Sequence, residues 1–158
     1  VEVYSAAPEV ELLVNGRSVG KKAAGKNAGY RALFDTVYET GKIEAVAYEN
    51  GIVVGQDVLC SASGNRHIQI EKEQEYGNEL VFYNIYMLDE HGTLAADATD
   101  LIEVEAVGGD LLGCGSASYA PDYEYRGNCT RLYEGRAQAI IRKKNSGDQT
   151  ELKVILKK

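Results

Sequence analysis

The sequence predicts an all-β chain of two tandem antiparallel β-sandwiches. Three observations carry that prediction: apolar residues recur with a period of two, tight-turn dipeptides separate the alternating runs, and no segment sustains the 3.6-residue period of a helix. In Glu9 to Asn15, Val10, Leu12 and Val14 point to one face while Glu9 and Glu11 point to the other, as in a half-buried strand. Asn15-Gly16 then supplies the positive φ values that a two-residue hairpin needs. The device recurs where Lys42 to Glu49 (Ile43, Ala45 and Ala47 on one face) meets Ile52 to Cys60 (Ile52, Val54 and Val58) across Asn50-Gly51. Two hairpins so close together point to a small sandwich.

The segment from Ser61 to Asn65 is small, polar and unpatterned, which suits a linker, and domains are expected at 1–63 and 64–158. Beyond it, His67 to Lys72 alternates with Ile68 and Ile70 on one side. Leu80 to Leu88 is nearly continuous in apolar and aromatic residues, so both its faces are expected to be covered. Asp89-Glu90-His91-Gly92 is a turn signal, and Ile102, Val104 and Ala106 make another half-buried strand. Gly108-Gly109 and Leu111-Leu112 lead into a long expected loop, Gly113 to Glu134. Arg136 to Arg142 and Glu151 to Leu156 then read as a closing hairpin around Asn145-Ser146-Gly147-Asp148.

These residues carry a resemblance. The strings VEVYSAAPEVELLVNGRSVGKK and YRALFDTVYETGKIEAVAYENG resemble the immunoglobulin-like domain that follows the catalytic barrel in many bacterial glycoside hydrolase family 2 enzymes of the β-galactosidase type. Downstream, DLLGCGSAS and TRLYEGRAQAIIRKKNSGDQTELKVIL resemble the last domain of those enzymes, a bacterial immunoglobulin-like sandwich. The resemblance implies two immunoglobulin-like β-sandwiches that are catalytically silent by themselves. It also implies an architectural role, against the barrel or in subunit contacts, and a parent that is a retaining β-galactosidase before a β-glucuronidase. An independent carbohydrate-binding module and a surface adhesion fragment are the alternatives.

Lys and Arg number 17 against 24 Asp and Glu, a net charge of −7, so nucleic acid and anionic membrane are repelled. The longest apolar stretch, Leu80 to Leu88, falls far short of the ~20 residues of a spanning helix. The chain starts inside a strand pattern with no initiator Met and reads as a piece of a longer protein, so any targeting signal lies outside it. Cys60, Cys114 and Cys129 have no C-x-x-C spacing, and no metal site or cofactor is expected. Cys60 reads as a small buried hydrophobe, and Cys114 with Cys129 is the one pair worth testing as a disulfide. The odd count tilts slightly towards a reducing compartment such as the bacterial cytoplasm.

Residue patterns that could carry chemistry are weak. Asn78-Glu79 matches the dipeptide that holds the acid/base Glu in the resembled family, but it sits between strand patterns, so no catalytic residue is expected. Gly113-Cys114-Gly115 lacks the third glycine and the helix of a dinucleotide fingerprint and reads as a sandwich corner. Asp97, Asp100 and Glu103 lack the loop spacing that calcium needs and read as a solvated acidic turn. His67 and His91 have no flanking ligands. Asn128-Cys129-Thr130 matches a glycosylation acceptor that a bacterial chain leaves unused. The tyrosine-rich loop remains: Tyr119, Tyr123, Tyr125, Arg126, Arg131 and Tyr133 are expected to contact neighbouring domains or an oligosaccharide. The absence of Trp favours the domain contact over the sugar.

Overall fold

The computed structural model describes residues 1–77, 79–145 and 147–157, the Gln74 side chain excepted. The chain divides into two compact units, Val1–Ser61 and Ala62–Lys158. Among the described residues there is no α-helix, and one 3-10 turn, Lys26–Ala28, interrupts the strands.

The first unit contains β1 (Glu2–Tyr4), β2 (Glu9–Val14), β3 (Arg17–Ala23), β4 (Arg31–Leu33), β5 (Lys42–Glu49) and β6 (Ile52–Cys60). They form a four-stranded antiparallel sheet, β3-β2-β5-β6, and a two-stranded one, β1-β4. Both expected hairpins are present with left-handed turns, at φ 50° and 78° for Asn15-Gly16 and 51° and 79° for Asn50-Gly51. Asn15 does more than turn the chain. Its Oδ1 accepts the Lys42 N–H at 2.8 Å and its Nδ2 donates to the Thr40 carbonyl at 3.2 Å, tying the first hairpin to the start of β5.

The core of this unit is small: Val10, Leu12, Ala24, Ala32 and Phe34 are buried, with Val3, Val19, Ile43 and Ala47 packed half-buried against them. Ile52, Val54 and Val58 do not form the buried face that their alternation suggests. β6 is exposed along nearly its whole length, with Ile52 at 68%. It is the sheet's edge strand, and the opposing sheet has only two strands of three residues each, too few to cover it. Cys60, at the end of β6, is exposed for the same reason, contrary to the burial expected of it.

On the outer face of the larger sheet, Glu11 accepts hydrogen bonds from Ser18 Oγ (2.6 Å) and Tyr48 Oη (2.9 Å). The Lys21 ammonium lies 3.6 Å from the Tyr48 ring centre. These bonds, with the Lys21 charge, hold the Glu11 carboxyl below its usual pKa.

The second unit contains β7 (Arg66–Tyr76), β8 (Leu80–Asp89), β9 (Leu101–Val107), β10 (Gly109–Gly115), β11 (Cys129–Arg131), β12 (Arg136–Lys143) and β13 (Glu151–Leu156). The sheets are β10-β12-β8-β7 and β11-β9-β13. Between them lies a core of Val81, Tyr83, Ile85 and Met87 from β8, Ala137, Ala139 and Ile141 from β12, Ile102 and Val104 from β9, and Leu152, Cys114, Leu132, Ala95 and Ala98. β8 alternates strictly. One face is buried, and the other, with Phe82, Asn84 and Tyr86, is half-covered, so its continuous apolar run does not mean burial on both sides.

Two further expectations are corrected. β12 and β13 do not form a hairpin: β12 is already paired on both edges, to β10 and β8, so β13 crosses to the other sheet and pairs with β9. Of the turn between them, Ser146 lies outside the described residues. The long loop is also shorter than expected, running over 116–128, because Gly113-Cys114-Gly115 belongs to β10 and Cys129–Arg131 is β11. The sheet-switching corner is at Gly108, whose φ of 76° and contact with the Gln149 carbonyl leave no room for a Cβ.

The β8–β9 connection starts with a turn organised by Asp89, which is almost wholly buried. Its carboxylate accepts the N–H groups of Ser63 (2.9 Å), His91 (2.9 Å) and Thr93 (2.8 Å). These backbone donors, Ser63 foremost, hold the Asp89 carboxyl below its usual pKa despite the opposing effect of burial.

Candidate functional site

The outward face of the four-stranded sheet in the second unit bears an open groove of about 600 Å³. Strand register sets its rows: Tyr86 of β8 lies opposite Arg136 of β12, and Asn84 lies opposite Gln138, which in turn lies opposite Gly115 of β10. The groove is closed on one side by Tyr125 and Arg126 of the 116–128 loop. That wall depends on Gly113 and Gly115 of β10. A Cβ on Gly115 would overlap the Tyr125 ring, and one on Gly113 would strike the Tyr125 carbonyl. The same carbonyl accepts the Cys114 N–H at 2.9 Å, so the loop docks on the strand and caps its edge there. These glycines therefore serve a close approach within a strand, where the sequence pattern suggested a corner.

The amides on the groove floor are oriented. Gln138 Nε2 donates to Asn84 Oδ1 (2.9 Å) and to Glu73 Oε2 (3.1 Å). Among the described residues, Asn84 Nδ2 and Gln138 Oε1 have no protein partner, and no buried side-chain polar atom is left unsatisfied, so both remain open to solvent. Arg126 and Arg136 form no ion pair with any described carboxylate.

The six residues singled out in the sequence separate. Tyr125 and Arg126 line the groove. Arg131 and Tyr133 line a smaller hollow with Pro121 and Leu132, where Arg131 Nε lies 3.6 Å from an Asp122 carboxylate oxygen and a guanidinium nitrogen donates to the Thr99 carbonyl. Tyr119 is 92% exposed and Tyr123 is half-buried. Tyr86, Asn84, Arg136 and Gln138 were missed. Their signal was present as alternate, outward positions on two strands, but only pairing sets them side by side.

The remaining chemistry-bearing residues disperse. Asp97 pairs with Arg66 at 2.9 Å, Glu103 pairs with Lys157 at 2.5 Å, and the Asp100 carbonyl accepts the Leu132 N–H, so the three acids serve different contacts. No group of three His, Cys, Asp or Glu among the described residues is placed to hold a metal. Glu79 sits exposed in the β7–β8 turn with its carbonyl accepting the Lys143 N–H, and Asn78 lies outside the described residues. Cys114 and Cys129 are both free thiols; burial, with a smaller effect of Cys129, pushes Cys114 up to about 12, so it is protonated and unreactive at neutral pH. Asn128 Nδ2 donates to Glu103 Oε1 at 3.0 Å, and the Thr130 of the same triplet is buried in β11.

The architecture is all-β, two units of paired antiparallel sheets, and the outward face of the second bears the groove. Residues 68–158 match the family described as glycoside hydrolase family 2 C-terminal domain 5, and residues 1–55 match a domain of unknown function, DUF4982. The chain therefore belongs to the C-terminal accessory region of family 2 glycoside hydrolases. It is 27% identical over 143 residues to the beta-galactosidase BoGH2A of Bacteroides ovatus, covering 87% of this chain and 17% of that protein. A family 2 glycosyl hydrolase from Bacteroides cellulosilyticus superposes with a TM-score of 0.85 at 24% identity, over 99% of this chain and 22% of the other. A beta-glycosidase from Bacteroides vulgatus does so at 0.70 and 22% identity, over 95% and 20%. The chain thus spans less than a quarter of the length of each of these relatives.

Proposed function

We propose that this chain is a non-catalytic, architectural part of a larger family 2 glycoside hydrolase with β-galactosidase activity, packing against the catalytic barrel or a neighbouring subunit. One observation carries the reading. The first unit leaves Val37, Tyr38, Ile52 and Leu59 between 68% and 81% exposed around a core cluster of five buried residues, with Val14 and Val46 buried besides, more apolar surface than so small a unit sheds to water without a partner. The name of the Bacteroides ovatus relative supports β-galactosidase as the parent activity. The test has two arms. The purified chain, incubated with chromogenic β-galactoside and β-glucuronide, gives no turnover. The parent enzyme truncated before Val1 keeps its barrel but loses thermal stability or its oligomeric state. Turnover by the chain that is lost in Glu79→Gln overturns the non-catalytic reading, and a truncated enzyme of unchanged stability, assembly and activity overturns the architectural one.

A further inference from the structure

We propose that the sheet-face groove of the second unit is a binding site for carboxylate-bearing oligosaccharides, such as uronate-containing glycans. This goes beyond the architectural role and stands independently of it. The groove's size falls in the range of about 300–1,000 Å³ usual for small-molecule sites. Its charge is the first argument. In a chain of net charge −7, the ionised side chains that line the groove among the described residues are Arg126 and Arg136, neither of them paired with a described carboxylate, while the Glu73 carboxylate is held by Gln138. Arg136 Nη1 donates to the Glu134 carbonyl at 3.4 Å, and a guanidinium that meets no carboxylate keeps the forked N–H groups suited to bidentate capture of one.

The remaining lining residues point to sugar as the carrier of that carboxylate. Tyr86, beside Arg136, and Tyr125, held against Gly115, provide aromatic walls with an apolar body and a polar tip. Asn84 Nδ2 offers a donor and Gln138 Oε1 an acceptor, the pair that adjacent sugar hydroxyls require. The bonds of Gln138 to Asn84 and Glu73 orient both amides before a ligand arrives, which lowers the entropy cost of binding. An acidic peptide fits less well. β8 and β12 are hydrogen-bonded on both edges, and the outer edge of β10 is blocked at Cys114 by the Tyr125 carbonyl, so an extended peptide cannot add a strand at that point of the groove.

The experiment is a titration of the 158-residue chain, followed by calorimetry and by amide shifts in NMR, with trigalacturonate, a glucuronate-containing oligosaccharide, a neutral galacto-oligosaccharide and an Asp/Glu-rich peptide. Saturable binding of an acidic oligosaccharide is expected, weakened by added salt and at least about tenfold weaker for the neutral sugar, with shifts at Asn84, Tyr86, Arg136 and Gln138. Arg126→Gln combined with Arg136→Gln removes the preference for acidic over neutral sugar. Both arginines are exposed, so the double variant keeps the wild-type melting temperature, and Arg136→Lys retains part of the affinity. No saturable binding of any acidic oligosaccharide at millimolar concentration overturns the proposal, as does binding that the double variant leaves intact. Binding of the peptide but not the sugars reassigns the groove to a protein partner.

Discussion

The two units use the same strand grammar and reach different degrees of closure. Residues 62–158 set a three-stranded sheet against a four-stranded one and bury one face of β8 and β12 between them, with Ile85, Ile102 and Ile141 fully removed from water. Residues 1–61 set a two-stranded sheet of short strands against a four-stranded one, so β6 has nothing over it and the buried apolar set is Val10, Leu12, Val14, Ala24, Ala32, Phe34 and Val46. Patterning makes strands in both. Closure depends on how much sheet is available to lie on top, and in the first unit that supply is short.

A matched pair of core truncations separates the two units. Leu12→Ala and Ile85→Ala each remove a fully buried branched side chain and each cost about 2–5 kcal/mol. The first unit, by its size, has only a few kcal/mol in total. Leu12→Ala is therefore expected to unfold residues 1–61 at room temperature while Ile85→Ala lowers the melting temperature of a still-folded second unit. Residue-resolved amide exchange checks it. Simultaneous loss of protection in both units on Leu12→Ala means that they share one cooperative transition.

A smaller effect tests how the groove wall is built. Gly113→Ala forces the Tyr125 backbone away from β10 and is expected to cost about 1–3 kcal/mol, measured as a shift in denaturant midpoint, with new proteolytic cleavage inside 116–128. Gly147→Ala, where nothing lies within reach of a new Cβ, is the control and leaves both readouts unchanged.

Acid sensitivity has the same sign in both units, through Glu11 in the first and a buried Asp89 in the second. The folded Asp89 pKa is depressed, so its contribution is fully present above the unfolded carboxylate value, about 3.9, and is lost as pH falls through the lower folded value. The Glu75 carboxyl, held down to about 2 by Lys143 and then Lys72, behaves with the same sign. Acid titration of the melting temperature is expected to show the second unit weakening below about pH 4. In Asp89→Asn the transition is lower by several degrees at neutral pH, and its slope below pH 4 is shallower. An unchanged slope removes Asp89 from the account.

The smallest expected effect is at the loop tip. Tyr119→Ala, at a side chain 92% exposed, should change the stability of the chain by no more than about 0.5 kcal/mol. A larger loss places Tyr119 in a contact that orders the loop.

The all-β class, both Asn-Gly hairpins and the inward faces of β2, β8, β9 and β12 follow from local sequence, because alternation and left-handed turn residues act over two to eight neighbouring positions. The family resemblance was legible in the same strings. Pairing partners were not: nothing local to Glu151–Leu156 says that β12 has no free edge and that β9 does. The same limit explains the exposed β6 and Cys60, since alternation marks which side chains share a face but not whether another sheet covers it. For the groove, Tyr125 and Arg126 stood out in sequence as an aromatic and a cation in a glycine-rich loop. Tyr86, Asn84, Arg136 and Gln138 looked like ordinary outward positions. Register set them in adjacent rows, and the missing Cβ atoms of Gly113 and Gly115 let the loop close over the strand, both of which are decided by packing between segments far apart in the chain.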